Sequence, residues 1–261
     1  MKILVTGGSG LLGKYIKQAN PNVITTWFAN PCGCDYQMNI GIASQVNYIF
    51  DRIKPEVVIH CAGVGDVDYA EKNKGAVAHI NYGGTHHVLQ AAKRYKSKFV
   101  YISSNAVYGG NNPPYGELST RLPVNNYGDI KRMAEDCVMD YDDYIIVRPF
   151  LLYGWHHKNA RANWATTLIK KFKNGEPVKM VNDVYWQPTY AGDMAGIILD
   201  LIELSPKNEA YNVAAPDRIT LFEFAQMVAK EWGFDDTAYI EPVSSDHFKT
   251  IAPRPKDTTR S

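Results

Sequence analysis

The sequence has almost no excess of charge of either sign. It contains 28 lysines and arginines against 27 aspartates and glutamates, which gives a formal net charge of +1. No block of like charges is long enough to form a basic arm or an acidic tail. A protein that binds nucleic acid through its phosphates needs a concentrated positive surface. We therefore expect no nucleic-acid partner.

Long apolar runs and cysteines are also scarce. No stretch approaches the roughly 20 apolar residues that span a bilayer, and the apolar run at the N-terminus is too short for a signal peptide. We therefore expect no membrane partner and a cytoplasmic location. The chain has four cysteines, too few for a disulfide framework at this length. Cys32 and Cys34 form a CxC without a second pair of ligands, so we expect no metal site.

The opening segment, MKILVTGGSGLLGKYI, has the pattern of a phosphate-binding turn. An apolar run at 3–5 is followed by glycines and then by apolar residues at helical spacing, which predicts a strand, a tight turn and a helix. Gly7 and Gly10 allow the backbone to approach a pyrophosphate, and Gly13 allows the helix to pack closely on the sheet. The helix N-terminus then offers free N–H groups to the phosphates.

Beyond this turn, apolar strands alternate with helices. This alternation predicts an α/β fold, a doubly wound parallel Rossmann sheet with a smaller C-terminal substrate lobe. We predict a dinucleotide-binding domain at 1–150, to which the chain returns near 185–215, and a substrate-binding lobe at 151–184 and 216–261. The predicted strands are 3–5, 22–27, 56–61, 99–103, 144–147 and 210–213. The predicted helices are 42–53, 77–94, the segment that contains 127–131, 165–172, 191–204 and 221–232.

Tyr127 and Lys131 stand four residues apart in the segment NNYGDIKRMAED. If this segment is helical, the two side chains lie on one face about one turn apart. A cation at about 4 Å, in an effective dielectric of about 20, favours the phenolate by about 4 kcal/mol, or about 3 pKa units. The spacing thus predicts a tyrosine with a pKa of about 7 that exchanges a proton in catalysis. The alternative is an exposed pair that merely shares a helix face.

Ser104 follows the predicted strand at 99–103 directly. A hydroxyl at the carboxyl end of a central strand reaches the cleft toward which the phenol points, where it can hydrogen-bond a carbonyl oxygen of a substrate. A serine that only caps a turn is the alternative.

Several segments together resemble the extended short-chain dehydrogenase/reductases. They are TGGSGLLG, HCAG, YISSNAVYG, YGDIK and RPFLLYG. Other segments resemble the dTDP-4-dehydrorhamnose reductase branch of that family: VDYAEKN, PYGE, PVNNYGDIKRMAED, NDVYWQPTYAGDMA, EAYNVA and RPKDTT. The resemblance covers nearly the whole chain. Members of the branch usually continue for some tens of residues after the RPKDTT-like segment, so the resemblance predicts that a final helix is missing.

The resemblance implies a role for each matching residue. Tyr127 would donate the proton, Lys131 would lower its pKa and bind the nicotinamide ribose, and Ser104 would orient the carbonyl group. Asn39 departs from the family, which usually has aspartate there. The residues implied to bind the cofactor are Gly7, Ser9, Gly10, Leu11, Leu12, Gly13, Asn39, Ile40, Cys61, Ala62, Gly63, Tyr127 and Lys131. Those implied to bind substrate are Ser104, Asn105 and Arg254.

The implied reaction is reduction of the 4-keto group of a nucleotide-linked 4-keto-6-deoxysugar, with NADPH or NADH as cofactor. The segment 25–30 holds neither an acid that would repel a 2′-phosphate nor an arginine that would bind one. Related dehydratases carry an Asp-Glu pair where this chain has Asn105 and Ala106, so the resemblance implies that the acid and base for water elimination are absent. A 4-epimerase and a non-catalytic, cofactor-binding regulatory subunit both remain as alternatives. A homodimer is also possible on this resemblance.

Overall fold

The structure is a computed structural model and describes residues 1–158, 160–234 and 239–260. Its strands and helices are short and alternate along the chain. The strands are β1 Ile3–Thr6, β2 Ile24–Trp27, β3 Tyr36–Gln37, β4 Val57–His60, β5 Lys98–Ile102, β6 Tyr144–Pro149, β7 Leu152–Tyr153, β8 Val178–Val181, β9 Tyr185–Trp186, β10 Thr189–Tyr190, β11 Glu209–Val213, β12 Ile219–Thr220 and β13 Ile240–Val243. The α-helices are α1 Leu11–Ala19, α2 Ala43–Ile53, α3 Val67–Lys72, α4 Lys74–Ala78, α5 Thr85–Tyr95, α6 Asn126–Met139, α7 Trp164–Lys173, α8 Ala191–Leu204 and α9 Leu221–Glu231.

The central sheet has seven strands in the order β11-β6-β5-β4-β1-β2-β3, and every pairing in it is parallel. The predicted doubly wound α/β fold is confirmed. The order reverses between β1 and β4, so the carboxyl ends of these two strands border the crevice where such folds bind ligands.

The central strands β1, β4 and β5 are buried on both faces, which explains why they read as largely apolar runs. Successive residues of a strand point to opposite faces. Ile3 and Val5 pack on one side in a cluster with residues of α1 and α8. Leu4 packs on the other side in a cluster with residues of α2, α5 and α6. The sheet thus holds α1 and α6 on opposite faces of the same crevice.

The segment predicted as one helix at 77–94 is divided in the structure. A π-helical segment, His79–Gly84, separates α4 from α5. Within it, the Asn81 side chain accepts a hydrogen bond from the Val64 N–H (2.7 Å) and donates one to the Val64 carbonyl (2.9 Å). The wider turn places Asn81 against the loop after β4, a position that periodicity alone does not reveal.

A third cluster of buried residues forms the core of the C-terminal lobe. It joins α7 and α9 to β8 and β13, which pair with each other in parallel. β11 pairs with β6, so the chain returns to the main sheet before α9. The domain limits given above stay a prediction. No helix in the described part of the chain is long and apolar enough to cross a membrane.

Candidate active site

The turn between β1 and α1 lies directly against the end of β4. Gly7 has a φ of +71°, and a Cβ built on it would lie 2.8 Å from the backbone of Ala62. A Cβ on Gly13 would lie 2.5 Å from the Gly7 carbonyl oxygen, which already accepts a hydrogen bond from the Gly10 N–H (3.0 Å). Only residues without a side chain fit at Gly7 and Gly13, so the backbone itself forms the wall of the crevice.

The N-terminus of α1 opens into this crevice. Gly10 is the N-cap and provides no side chain to the helix, and no acidic residue lies in the first turn. The first N–H groups of an α-helix have no partner within the helix, and the helix dipole adds a partial positive charge there. Ser9, Leu11 and Leu12 flank this end. The turn therefore fits the pyrophosphate of a dinucleotide.

A buried hydrogen-bond chain fixes the ends of β1 and β4. His60 Nδ1 lies 2.7 Å from Thr6 Oγ1, and His60 Nε2 lies 3.0 Å from Thr85 Oγ1. Thr85 donates its proton to the Asn81 carbonyl, so it accepts one from Nε2 and Thr6 donates to Nδ1. Burial lowers the pKa of His60 to about 3, which keeps the ring neutral. Thr6 Oγ1 also accepts a hydrogen bond from the Ala62 N–H (3.2 Å), so the same network connects β1 to the loop after β4.

The loop after β4 contains the predicted residues Cys61, Ala62 and Gly63. A Cβ on Gly63 would lie 3.0 Å from Asn81 Oδ1, so the loop backbone packs closely on the π-helical segment. Burial raises the pKa of Cys61 to about 12, which keeps its thiol protonated.

A pocket of about 500 Å³ lies beside the carboxyl ends of β2 and β3. Asn39 lines it, and its Oδ1 accepts a hydrogen bond from the Gly41 N–H (2.9 Å). Ile40 is buried below, where a Cβ on Gly84 would lie 2.7 Å from it. None of the lining residues is charged, and two are aromatic. They are Phe28, Gln37, Asn39, Ile42, Ser44, Gln45 and Tyr48.

Ser104 and Tyr127 come together because α6 packs on the turn after β5. Ser104 caps a 3-10 turn, Asn105–Val107, by accepting a hydrogen bond from the Ala106 N–H (3.1 Å). A Cβ on Gly128 would lie only 2.1 Å from the Ala106 carbonyl oxygen, so α6 begins in direct contact with this turn. The Ser104 hydroxyl lies close enough to the Tyr127 phenol to lower the pKa of that phenol. Ser104 thus caps a turn and also contacts the phenol.

Lys131 lies in the predicted helix, but its ammonium group is hydrogen-bonded to a backbone carbonyl rather than to the phenol. It is buried, donates a hydrogen bond to the Ile102 carbonyl (2.9 Å) and lies 4.9 Å from the centre of the Tyr101 ring. Burial lowers the pKa of Lys131 to about 8, an effect that Cys61 and Glu135 oppose. The lysine is therefore close to its titration point at neutral pH.

The predicted pKa of about 7 for Tyr127 is wrong for this arrangement of side chains. Desolvation raises the pKa of Tyr127 above its usual value, and the nearby Ser104 hydroxyl and the charge of Arg161 oppose that rise. The calculation from helical spacing left out desolvation, and it placed the ammonium group beside the phenol rather than on the Ile102 carbonyl.

The two remaining residues predicted to bind substrate lie near the C-terminal segment. Asn105 is buried, and its Nδ2 donates a hydrogen bond to Thr258 Oγ1 (2.7 Å). Arg254 forms an ion pair with Asp68 (3.0 Å) and is partly exposed. Whether these two residues contact a substrate stays a prediction.

Arg161 was not identified from the sequence. It forms an ion pair with Asp66 at 3.2 Å, and its charge acts on the pKa of Tyr127, so it lies on the phenol side of the crevice. Asp66 caps α3 and Asp68 lies in its first turn, so Arg161 and Arg254 meet the same end of one helix. No short motif could reveal pairs formed across so many residues.

No group of three or more His, Cys, Asp or Glu side chains that could hold a metal ion lies within the described ranges.

A parallel Rossmann sheet with a glycine turn after β1, and a Tyr-x-x-x-Lys helix packed on a serine-capped turn after β5, defines an extended short-chain dehydrogenase/reductase fold and site. The family model described as "RmlD substrate binding domain" matches residues 1–260. The chain therefore belongs to this family, which contains the dTDP-4-dehydrorhamnose reductases.

Three known proteins show the range of its relatives. The chain is similar to the solved dTDP-4-dehydrorhamnose reductase of Bacillus anthracis in complex with NADP, with 31% identity and a TM-score of 0.87 over 100% of this chain and 91% of that one. It is 27% identical to the dTDP-4-keto-6-deoxy-D-glucose reductase of Streptomyces niveus, over 98% of this chain and 86% of the relative. It is 26% identical to methionine adenosyltransferase 2 subunit beta of Rattus norvegicus, over 98% of this chain and 79% of the relative.

Proposed function

We propose that this protein is an oxidoreductase that binds NADPH or NADH and reduces the 4-keto group of a nucleotide-linked 4-keto-6-deoxysugar. The observation that carries the proposal is that Ser104 and Tyr127 lie side by side at the carboxyl edge of the sheet, with Lys131 buried one turn further along α6. The membership of the reductase family and the relative solved with NADP support it.

The crevice offers a separate binding surface for each part of a dinucleotide. The backbone of the glycine turn and the first turn of α1 would hold the pyrophosphate. The uncharged pocket that includes Phe28 and Asn39 would hold the adenosine end. That pocket has no carboxylate to exclude a 2′-phosphate and no guanidinium to require one, so we expect both cofactors to bind. When bound, the reduced nicotinamide supplies the hydride.

The protein's own groups would handle the substrate oxygen. Ser104 would donate a hydrogen bond to the ketone and fix its position, and Tyr127 would transfer its proton as negative charge develops there. The raised pKa of Tyr127 keeps the phenol protonated until that moment. The Lys131 ammonium, buried nearby, would stabilise the phenolate that remains.

Two guanidinium groups at the start of α3 would bind the diphosphate of the sugar nucleotide. Arg161 and Arg254 are held there by single ion pairs to Asp66 and Asp68. Exposed ion pairs of this kind are weak, with a median of about 0 to 1 kcal/mol, so a diphosphate can replace the carboxylates. Guanidinium is also the cation best suited to paired phosphate oxygens.

The proposal is tested with a dTDP-linked 4-keto-6-deoxysugar and NADPH that carries deuterium on the transferred position. We expect NADPH absorbance to fall and deuterium to appear on C4 of the sugar. A 4-epimerase would instead convert a nucleotide sugar to its epimer without net consumption of NADPH. Failure to reduce any nucleotide-linked 4-ketosugar would overturn the proposal.

A regulatory subunit is the second candidate, because the similar rat protein is a subunit of methionine adenosyltransferase. For that function the chain would bind the cofactor and a partner protein without reducing a sugar. Binding of NADPH without turnover of any nucleotide-linked 4-ketosugar would favour it.

A further inference from the structure

Three residues of α6 are spaced at intervals of four: Tyr127, Lys131 and Glu135. Residues four apart lie on the same helix face with Cβ atoms about 5 to 6 Å apart. Tyr127 and Lys131 belong to the proposed reductase site. Glu135 is the next residue of the same row, and the proposed reaction assigns no role to it.

Glu135 is completely buried and has two cationic partners. Arg148 Nε lies 2.9 Å from its Oε1 and Arg148 Nη2 lies 2.8 Å from its Oε2, a bidentate contact. Arg121 Nη1 lies 2.9 Å from Oε2. Arg148 is also buried, with 1% of its side chain exposed against 0% for Glu135. The buried carboxylate thus accepts three charge-assisted hydrogen bonds from two guanidinium groups.

The other titratable groups around Lys131 are neutral near pH 7. In β4 and the loop that follows it, burial lowers the pKa of His60 to about 3 and raises that of Cys61 to about 12. From β5 and α6, desolvation raises the pKa of Tyr101 and of Tyr127. Among these described neighbours, Glu135 alone provides a negative charge.

We propose that Glu135 is a positioning residue whose carboxylate, fixed by Arg148 and Arg121, holds the buried Lys131 in its ammonium form. Glu135 acts through Lys131 and touches neither substrate nor cofactor. The row on α6 then consists of a carboxylate, an ammonium group and the phenol that loses its proton, and the guanidinium groups of Arg148 and Arg121 contact its carboxylate from outside the helix. The consequence for catalysis rests on the proposed reductase function, whereas the effect on Lys131 does not.

The test is the pKa of Lys131 in wild type, Glu135→Gln and Asp136→Asn, measured by NMR on protein labelled with ¹³C at the lysine ε carbon. The Lys131 signal is assigned by its absence in Lys131→Met. Asp136 is the matched control, because it also pairs with Arg121 (2.7 Å) but is 45% exposed and lies outside the row. We expect the pKa to fall by about one unit in Glu135→Gln and to stay unchanged in Asp136→Asn. Equal values in all three proteins would overturn the proposal.

A second variant covers the case in which Glu135→Gln does not fold because two guanidinium groups lose their partner. In the double variant Glu135→Gln with Arg148→Met, the buried ion pair is removed as a whole, a change that is often tolerated. Arg121 keeps Asp136 as a partner. Because a positive charge is removed together with the carboxylate, we expect a smaller fall in the pKa of Lys131 than in Glu135→Gln, and an unchanged value would again contradict the proposal.

Activity provides a readout that separates this inference from the reductase proposal. If the protein reduces a ketosugar, the alkaline limit of kcat/KM should move down by the same amount as the Lys131 pKa in Glu135→Gln, and not in Asp136→Asn. If no substrate is turned over, the NMR titration still decides the role of Glu135.

Discussion

Replacing Gly128 by alanine tests how the two halves of the candidate site are brought together. The added Cβ would lie 2.1 Å from the Ala106 carbonyl oxygen and 2.8 Å from Pro123 Cβ. Because carbon atoms do not approach such neighbours closer than about 3 Å, α6 or the turn after β5 must move by about 0.9 Å. That movement separates Tyr127 from Ser104. A misplacement of about 1 Å costs about 10²-fold in rate, and overpacking of this kind costs about 1 to 3 kcal/mol in stability.

The assay compares kcat/KM for ketosugar reduction and the thermal unfolding midpoint in Gly128→Ala and Gly196→Ala. Gly196 is the matched control, because it lies within α8 and a Cβ there would have no neighbour within 4 Å. We expect Gly128→Ala to lose about 10²-fold in kcat/KM and to melt at a lower temperature. We expect Gly196→Ala to keep its activity and to gain about 0.5 to 1 kcal/mol in stability. Wild-type activity and stability in Gly128→Ala would refute the reasoning.

Three further changes probe the other parts of the site. Raising the pH above about 8 should reduce kcat/KM as Lys131 loses its proton. The pKa of Lys131 is lower in the folded than in the unfolded protein, so the same deprotonation makes the fold more stable. The loss of activity is therefore not caused by unfolding. Gly7→Ala should abolish NADPH binding, measured by fluorescence, because its Cβ would meet the backbone of Ala62 at a positive φ. Arg161→Gln and Arg254→Gln should each raise KM for the sugar nucleotide by about tenfold and leave the Kd of NADPH unchanged.

For each of these three predictions, one outcome would contradict it. A flat pH profile between 7 and 10 would exclude Lys131 as the group that limits activity. Normal NADPH affinity in Gly7→Ala would show that the glycine turn does not border the cofactor. An unchanged KM in both arginine variants would remove the start of α3 from the substrate site.

Patterns that depend on neighbouring residues predicted the fold well. Each strand predicted from an apolar run is present with its ends shifted by at most two residues, because burial of both sheet faces leaves a continuous apolar signal. β3 and the short strand pairs of the C-terminal lobe were not predicted. Most of these have only two residues, too few for an alternating pattern to be recognised.

Properties that depend on distant residues could not be predicted in the same way. Helical spacing correctly placed Tyr127 and Lys131 on one helix, but the pKa of each depends on desolvation and on partners from β5 and the loop before α7. The ion pair between Arg161 and Asp66 likewise joins segments that no local pattern connects. The sequence predicted most of the candidate groups, and the tertiary structure provides the burial and the partners on which their pKa values depend.

The most direct test of the account is a single-turnover measurement of hydride transfer in wild type and Tyr127→Phe. Both proteins are saturated with NADPH and mixed with a dTDP-linked 4-keto-6-deoxysugar, and the absorbance of NADPH is followed. We expect Tyr127→Phe to bind NADPH normally but to oxidise it about 10² to 10⁴ times more slowly, because the ketone oxygen lacks its proton donor. Equal rates in the two proteins would contradict the assignment of Tyr127 as the proton donor and the mechanism built on it.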